Sequence, residues 1–233
     1  MKIFAISDLH LSFGSNKPMD IFGEQWKDYL NVIKQDWKDK VKPEDVVLIA
    51  GDISWAMKLE DTVEDFKFLK ELSGKIFMIK GNHDYWWSGI SSVRKVLPEN
   101  VTAIQNDAFK VGDYIICGTR GWIVPENANS GSEEDKKIYL REQIRLDLTL
   151  KSAKSLQKNG EKIICMMHYP PTNADWQESE FTKLFEAFGV SAVVYGHLHG
   201  KYVKRDLIKE INGITYYLTS CDQLGNKLME INV

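Results

Sequence analysis

Five histidines occur in this chain, and each stands in a short polar motif: His10 in SDLH, His83 in GNHD, His168 in MMHYPP, His197 and His199 in GHLH. Imidazole is a common transition-metal ligand and changes charge near neutral pH. The same windows hold Asp8, Asn82 and Asp84, and Asp52 arrives in AGD. Together they offer enough nitrogen and oxygen donors for two metal ions. The donors are carboxylate, imidazole and amide, without thiolate. Such a set favours Mn, Fe or Zn in an open site over a closed structural zinc site.

Elements must bring these residues together, and the pattern supplies them. Apolar runs at residues 2–7, 45–50, 75–80, 114–118, 162–167 and 190–195 read as strands. Asp8 and His10 follow the first run and Asp52 the second. Asn82, His83 and Asp84 follow the third, His168 the fifth, and His197 and His199 the last. Ligands of open α/β sheets bind at the C-terminal ends of strands. Residues i and i+2 of an extended segment face one side, so Asp8 can grip with His10 and His197 with His199. Gly51, Gly81 and Gly196 stand beside the donors, where they permit sharp turns or close approach.

Helical spacing links Trp26, Leu30, Ile33 and Trp37, then Leu59, Val63, Phe66, Leu69 and Leu72. A short helix is expected over 88–97, and Ser132 with three acidic residues behind it opens a long polar, solvated one. A further helix around Phe181, Leu184, Phe185 and Phe188 closes at Gly189. The alternation predicts an α/β fold. Asn212-Gly213 signals a late hairpin, hence a mixed sheet or two sheets packed face to face. Residues 121–132, rich in Asn, Gly and Ser, read as a loop.

A length of 233 residues suits one domain spanning 1–233. With 43% hydrophobic and 27% charged residues the chain reads as globular. A net charge of −3 argues against a large nucleic-acid footprint, though a nucleotide or short strand still fits. No run is long and apolar enough to span a membrane, and a cleaved leader would remove Asp8. Cys117, Cys165 and Cys221 are sparse and odd in number, which predicts buried thiols and a cytoplasmic location.

The ordered series D-x-H, GD, GNHD, H and GHxH, from Asp8 to His199, resembles the calcineurin-like metallophosphoesterase superfamily. The resemblance implies a four-layered αββα sandwich: two mixed sheets flanked by helices, with a dinuclear metal site at the C-terminal edge of the strands. It assigns one ion to Asp8, His10, Asp52 and His199, and the other to Asp52, Asn82, His168 and His197, with Asp52 bridging. His83 is then a catalytic residue facing the phosphate and protonating the leaving group, and Asp84 orients His83 or holds the loop. Metals about 3.5–4 Å apart clamp an in-line displacement, and a bridging hydroxide is the nucleophile the resemblance implies.

The protein phosphatases of that superfamily carry GDxVDRG and GNHE, whereas this chain has GDISWAM and GNHD. The expectation is a small bacterial-type phosphohydrolase acting on a phosphate mono- or diester. The alternatives are a nuclease on short or single-stranded nucleic acid and a non-catalytic, phosphoesterase-like binding subunit. Arg120 and Trp122, in GTRGW at another strand end, are candidate substrate-binding residues. Trp55, Trp86, Trp87, Tyr169 and Trp176 read first as core or rim packing.

Overall fold

The computed structural model describes residues 1–15, 17–126 and 130–233. The loop expected at 121–132 therefore lies partly outside the described residues. Among the described residues eleven strands form two sheets. The first has the order β11-β1-β2-β3-β4: β1 is Ile3–Ala5, β2 Val46–Ile49, β3 Lys75–Met78, β4 Val101–Ala103 and β11 Met229–Glu230. The second has the order β5-β6-β7-β8-β10-β9. In it β5 is Ala108–Val111, β6 Tyr114–Thr119, β7 Lys162–Met167, β8 Val190–Tyr195, β9 Ile208–Ile211 and β10 Ile214–Leu218. Within each sheet the inner strands run parallel and the antiparallel strands β11, β5 and β9 occupy edges.

The apolar strands serve two cores at once. Ile3 and Ala5 of β1, and Val46 and Leu48 of β2, face the layer between the sheets, as do Ile164 and Met166 of β7. Their alternate neighbours turn outward. Phe4, Val47 and Ile49 meet the helices α1 (Tyr29–Lys40) and α2 (Val63–Lys70), while Ile163, Cys165 and Met167 meet α4 (Glu133–Leu156) and α5 (Glu180–Phe188). A period of two thus divides each strand between two buried faces, which is why the runs read as unbroken apolar segments. The helix α3 (Ile90–Val96) completes the outer layer of the first sheet. The result is the expected αββα sandwich.

Some local readings shift. Asp28 is left-handed, so α1 starts at Tyr29 and Trp26 sits in a preceding 3-10 turn. The predicted face at 59–72 breaks into a 3-10 turn and α2, and Val63 is exposed. The long helix α4 is not merely solvated: Leu146, Leu150 and Ala153 are fully buried against the second sheet. The hairpin forms at Asn212-Gly213, where both residues have positive φ and join β9 to β10. All three cysteines are buried and free. Among the described residues no helix is long and apolar enough to cross a membrane.

Candidate metal centre

The donors cluster just past the C-terminal ends of β1, β2, β3, β7 and β8. The backbone reverses there through the left-handed region: φ is 59° at Asp8, 45° at His10, 53° at Asp52 and 70° at His197. That conformation is uncommon outside glycine and concentrates at functional sites. Neighbouring glycines allow the close approach. A Cβ at Gly81 would lie 2.1 Å from Asp52 Oδ1, and one at Gly196 would lie 2.6 Å from Asp8 Oδ2.

Contacts within and between the sheets fix the donors. Both Asp8 oxygens accept the His197 backbone N–H, at 3.1 and 3.0 Å. The Asp52 carboxylate accepts the His83 backbone N–H at 2.8 Å. His168 Nδ1 lies 2.9 Å from the Ala50 carbonyl, which only accepts, so the proton is on Nδ1 and Nε2 carries the lone pair. That Nε2 faces Asn82 Oδ1 at 2.6 Å and Asp52 Oδ2 at 3.5 Å. The His197 Nδ1 approaches the same Asn82 oxygen at 2.9 Å.

Several of these atoms lack a partner that protein could supply. His10 is 1% exposed, yet neither ring nitrogen has a hydrogen-bond partner. Asp52 Oδ2 is also buried and unpartnered, 3.7 Å from His10 Nε2. Buried polar groups left unpaired are costly. A cation among these lone pairs would satisfy all of them, so the donor set fits metal. Donor atoms of Asp8, His10 and His199 lie within 4.8 Å of one another, and so do those of Asp8, Asp52 and His168. The first group lies within the expected ligands of one ion. The second draws Asp8 toward the other ion as well.

Burial sets the charges. It drives His10 well below its usual range and holds His168 and His197 at about 3, so these rings are neutral and keep lone pairs for metal. Burial, and then the Asp52 charge, push Asp8 well up; burial lifts Asp52 to about 6. A cation would favour the ionised form of both carboxylates.

His83 and Asp84 have different surroundings. The His83 ring packs 4.6 Å from Trp55, and its Nδ1 is buried without a hydrogen-bond partner. Asp84 does not touch that ring. Its oxygens accept N–H groups from Ile53, Ser54, Gly81 and the Trp86 indole, so it ties the third-strand loop to the second. These bonds are of the kind that the loop-holding role expected for Asp84 requires.

Arg120 and Trp122 sit at one flank. The guanidinium lies 4.8 Å over the Trp122 ring, and Trp122 packs against Tyr169. The Arg120 carbonyl accepts the His168 and Tyr169 N–H groups, each at 3.0 Å. Trp86 and Trp87 are buried in the first core, while Trp55 stacks on His10 at 4.7 Å. Two supporting residues escaped the sequence reading. Asp222 accepts the Gly200 N–H at 2.7 Å and so anchors the loop carrying His199; the Tyr29 hydroxyl donates to the Leu9 carbonyl at 2.9 Å. Neither lies in a donor motif.

Comparison with known proteins agrees with this geometry. A family model described as calcineurin-like phosphoesterase matches residues 1–201. A Coxiella burnetii protein named as a probable cyclic nucleotide phosphodiesterase is 23% identical over 87% of this chain and 77% of its own. Among solved structures, phosphopantetheinyl hydrolase from Mycobacterium tuberculosis superposes with a TM-score of 0.57 at 13% identity, covering 99% of this chain and 95% of that one. TT1561 of Thermus thermophilus gives 0.56 at 15% identity, covering 99% and 97%.

Proposed function

The chain belongs to the calcineurin-like phosphoesterase family, hydrolases acting on ester bonds, and from that premise we propose that it hydrolyses a small phosphate mono- or diester. The observation that carries this reading is His10, a buried imidazole with two unpartnered nitrogens beside an unpartnered Asp52 oxygen. Asp8, His10, Asp52 and His199 would hold one divalent ion, and Asp52, Asn82, His168 and His197 the other. Manganese, iron and zinc all suit these donors. When bound, such ions supply positive charge to phosphoryl oxygens and bring a water's pKa toward neutrality.

The chain's own residues do the rest. Ala50 fixes the His168 tautomer so that Nε2 faces inward. Trp55 covers one face of His10 and excludes water from it. His83 Nε2 donates a proton to the leaving oxygen as its bond to phosphorus breaks. Asp84 and the Gly81 N–H hold the loop that aims His83. Three buried free thiols are compatible with a reducing cytoplasm.

The test is a screen of metal-supplemented protein on nitrophenyl phosphates, nucleotides and cyclic nucleotides, the last prompted by the name of the Coxiella relative. Hydrolysis dependent on Mn, Fe or Zn is expected. His83→Ala should lower kcat by about 10²–10⁴ with metal content unchanged, whereas His10→Ala should lose metal. Metal-loaded protein inert on every ester would refute the proposal.

A further inference from the structure

A basic cavity of about 300 Å³ lies beside the metal centre. Lys80, Arg120, Arg141 and Arg145 line it, together with Ser88 and Gln105. Lys80 follows β3, Arg120 follows β6, and Arg141 and Arg145 stand one turn apart on α4, where side chains share a face.

Among the described residues the only carboxylate paired with these arginines is Glu142, which is fully buried. It accepts hydrogen bonds from Thr119 Oγ1 at 3.0 Å and Arg145 Nη1 at 2.7 Å. Arg120 Nη2 and Arg141 Nε stay 3.7 and 3.9 Å away. One negative charge therefore serves three guanidinium groups. Lys80 Nζ donates to the Trp87 carbonyl at 3.2 Å and forms no ion pair among the described residues. The Asp84 charge also reaches Lys80, but that carboxylate already accepts four N–H groups. Arg120 Nε is buried without a partner. Gln105 uses its carbonyl oxygen on the Trp87 indole, 3.0 Å away. The lining is thus rich in donors, and positive charge exceeds negative.

Like charges held together in a half-buried space attract an anion. Guanidinium forks match phosphate oxygens in pairs, and the cavity volume lies at the small end of ligand pockets.

We propose that this cavity is a second phosphate site, separate from the metal centre, filled by a second phosphate group on the substrate or by free inorganic phosphate. Arg120 joins the two sites. Its backbone carbonyl holds the His168 and Tyr169 N–H groups, while its side chain lines the cavity. An anion here would therefore lie next to the reacting group. Assignment to the substrate rests on the phosphohydrolase reading; phosphate binding itself does not.

Inorganic phosphate titrated calorimetrically into metal-loaded protein, before and after chelation, tests the site. One equivalent should survive chelation, weaken as salt rises, and bind about tenfold or more weakly to the double variant Arg141→Gln/Arg145→Gln. The Arg141→Lys/Arg145→Lys variant keeps the charge beside Glu142 and should recover part of the affinity, which separates charge from folding. Loss of all phosphate binding on chelation, or unchanged binding in the glutamine variant, would overturn the site. A second arm compares kcat/KM on sugar phosphates with and without a second phosphate. A preference that the glutamine variant abolishes assigns the site to substrate; equal rates assign it to free phosphate. If no ester turns over while chelation-resistant binding persists, the phosphohydrolase reading fails and this site stands.

Discussion

A methyl group at Gly81 would sit 2.1 Å from Asp52 Oδ1 and 2.2 Å from its backbone nitrogen. Neither atom can retreat, because Asp52 is buried and its Oδ1 holds the His83 N–H. Gly81→Ala should therefore displace a proposed shared ligand. Metal affinity is expected to fall about 10–100-fold, as it does when groups that orient a ligand are lost. A metal titration of the variant matching wild type would contradict the assignment. At this scale the sequence was readable because the donors announce themselves by type, order and spacing. Asp222 and Tyr29 were not readable: one anchors a loop from 22 residues away and the other reaches back 20 residues to a carbonyl. Glu142 was hidden too, since a glutamate in a charged helix looks solvated until the fold buries it.

Among the elements, the junction between α4 and β7 depends on Glu161. Its carboxylate pairs with Lys110 of β5 and accepts the Lys158 and Asn159 backbone N–H groups at 2.8 and 2.9 Å. The Lys110 hydrogen bond, then these backbone donors, hold its pKa down at about 2. A folded-state pKa below the unfolded value, about 4.3, stabilises the fold above that pH. The contribution disappears as pH falls through about 2. Urea unfolding of wild type and Glu161→Gln should thus diverge at pH 5 and converge toward pH 2; a constant gap would exclude this linkage. The long apolar runs were legible as strands, but β4, β5 and β11, of 3, 4 and 2 residues, were not. Unlike β1, equally short but set in the apolar run 2–7, these segments are interrupted by polar residues and are set by their neighbours in the sheet. Val63 shows the converse error, an apolar residue at helical spacing left in solvent by the break at Thr62.

For the molecule as a whole, the proposed ligands come from both sheets. Asp8, His10, Asp52 and Asn82 follow strands of the first, and His168, His197 and His199 follow strands of the second. Metal should therefore bind the folded chain and not the unfolded one. At a hundredfold excess over Kd each site adds about 2.7 kcal/mol, and a chain of this size gains about 2–4 °C in Tm per kcal/mol. Added metal should raise Tm by several degrees in wild type and by less in His10→Ala; equal rises in both would argue against ligation by His10. From the pattern alone the two-sheet arrangement was one option beside a single mixed sheet, since both give the same alternation of strands and helices; the family resemblance selected it. What separates them is the outward or inward turn of each strand residue, which depends on partners distant in the chain. The seam also has a temporal consequence. Each proposed ion takes ligands from both sheets, so neither set is complete until the layers have docked, and tight capture of metal during refolding should run no faster than docking. A fluorescent chelator competing for the ion would then time the last step of assembly, with no probe attached to the chain.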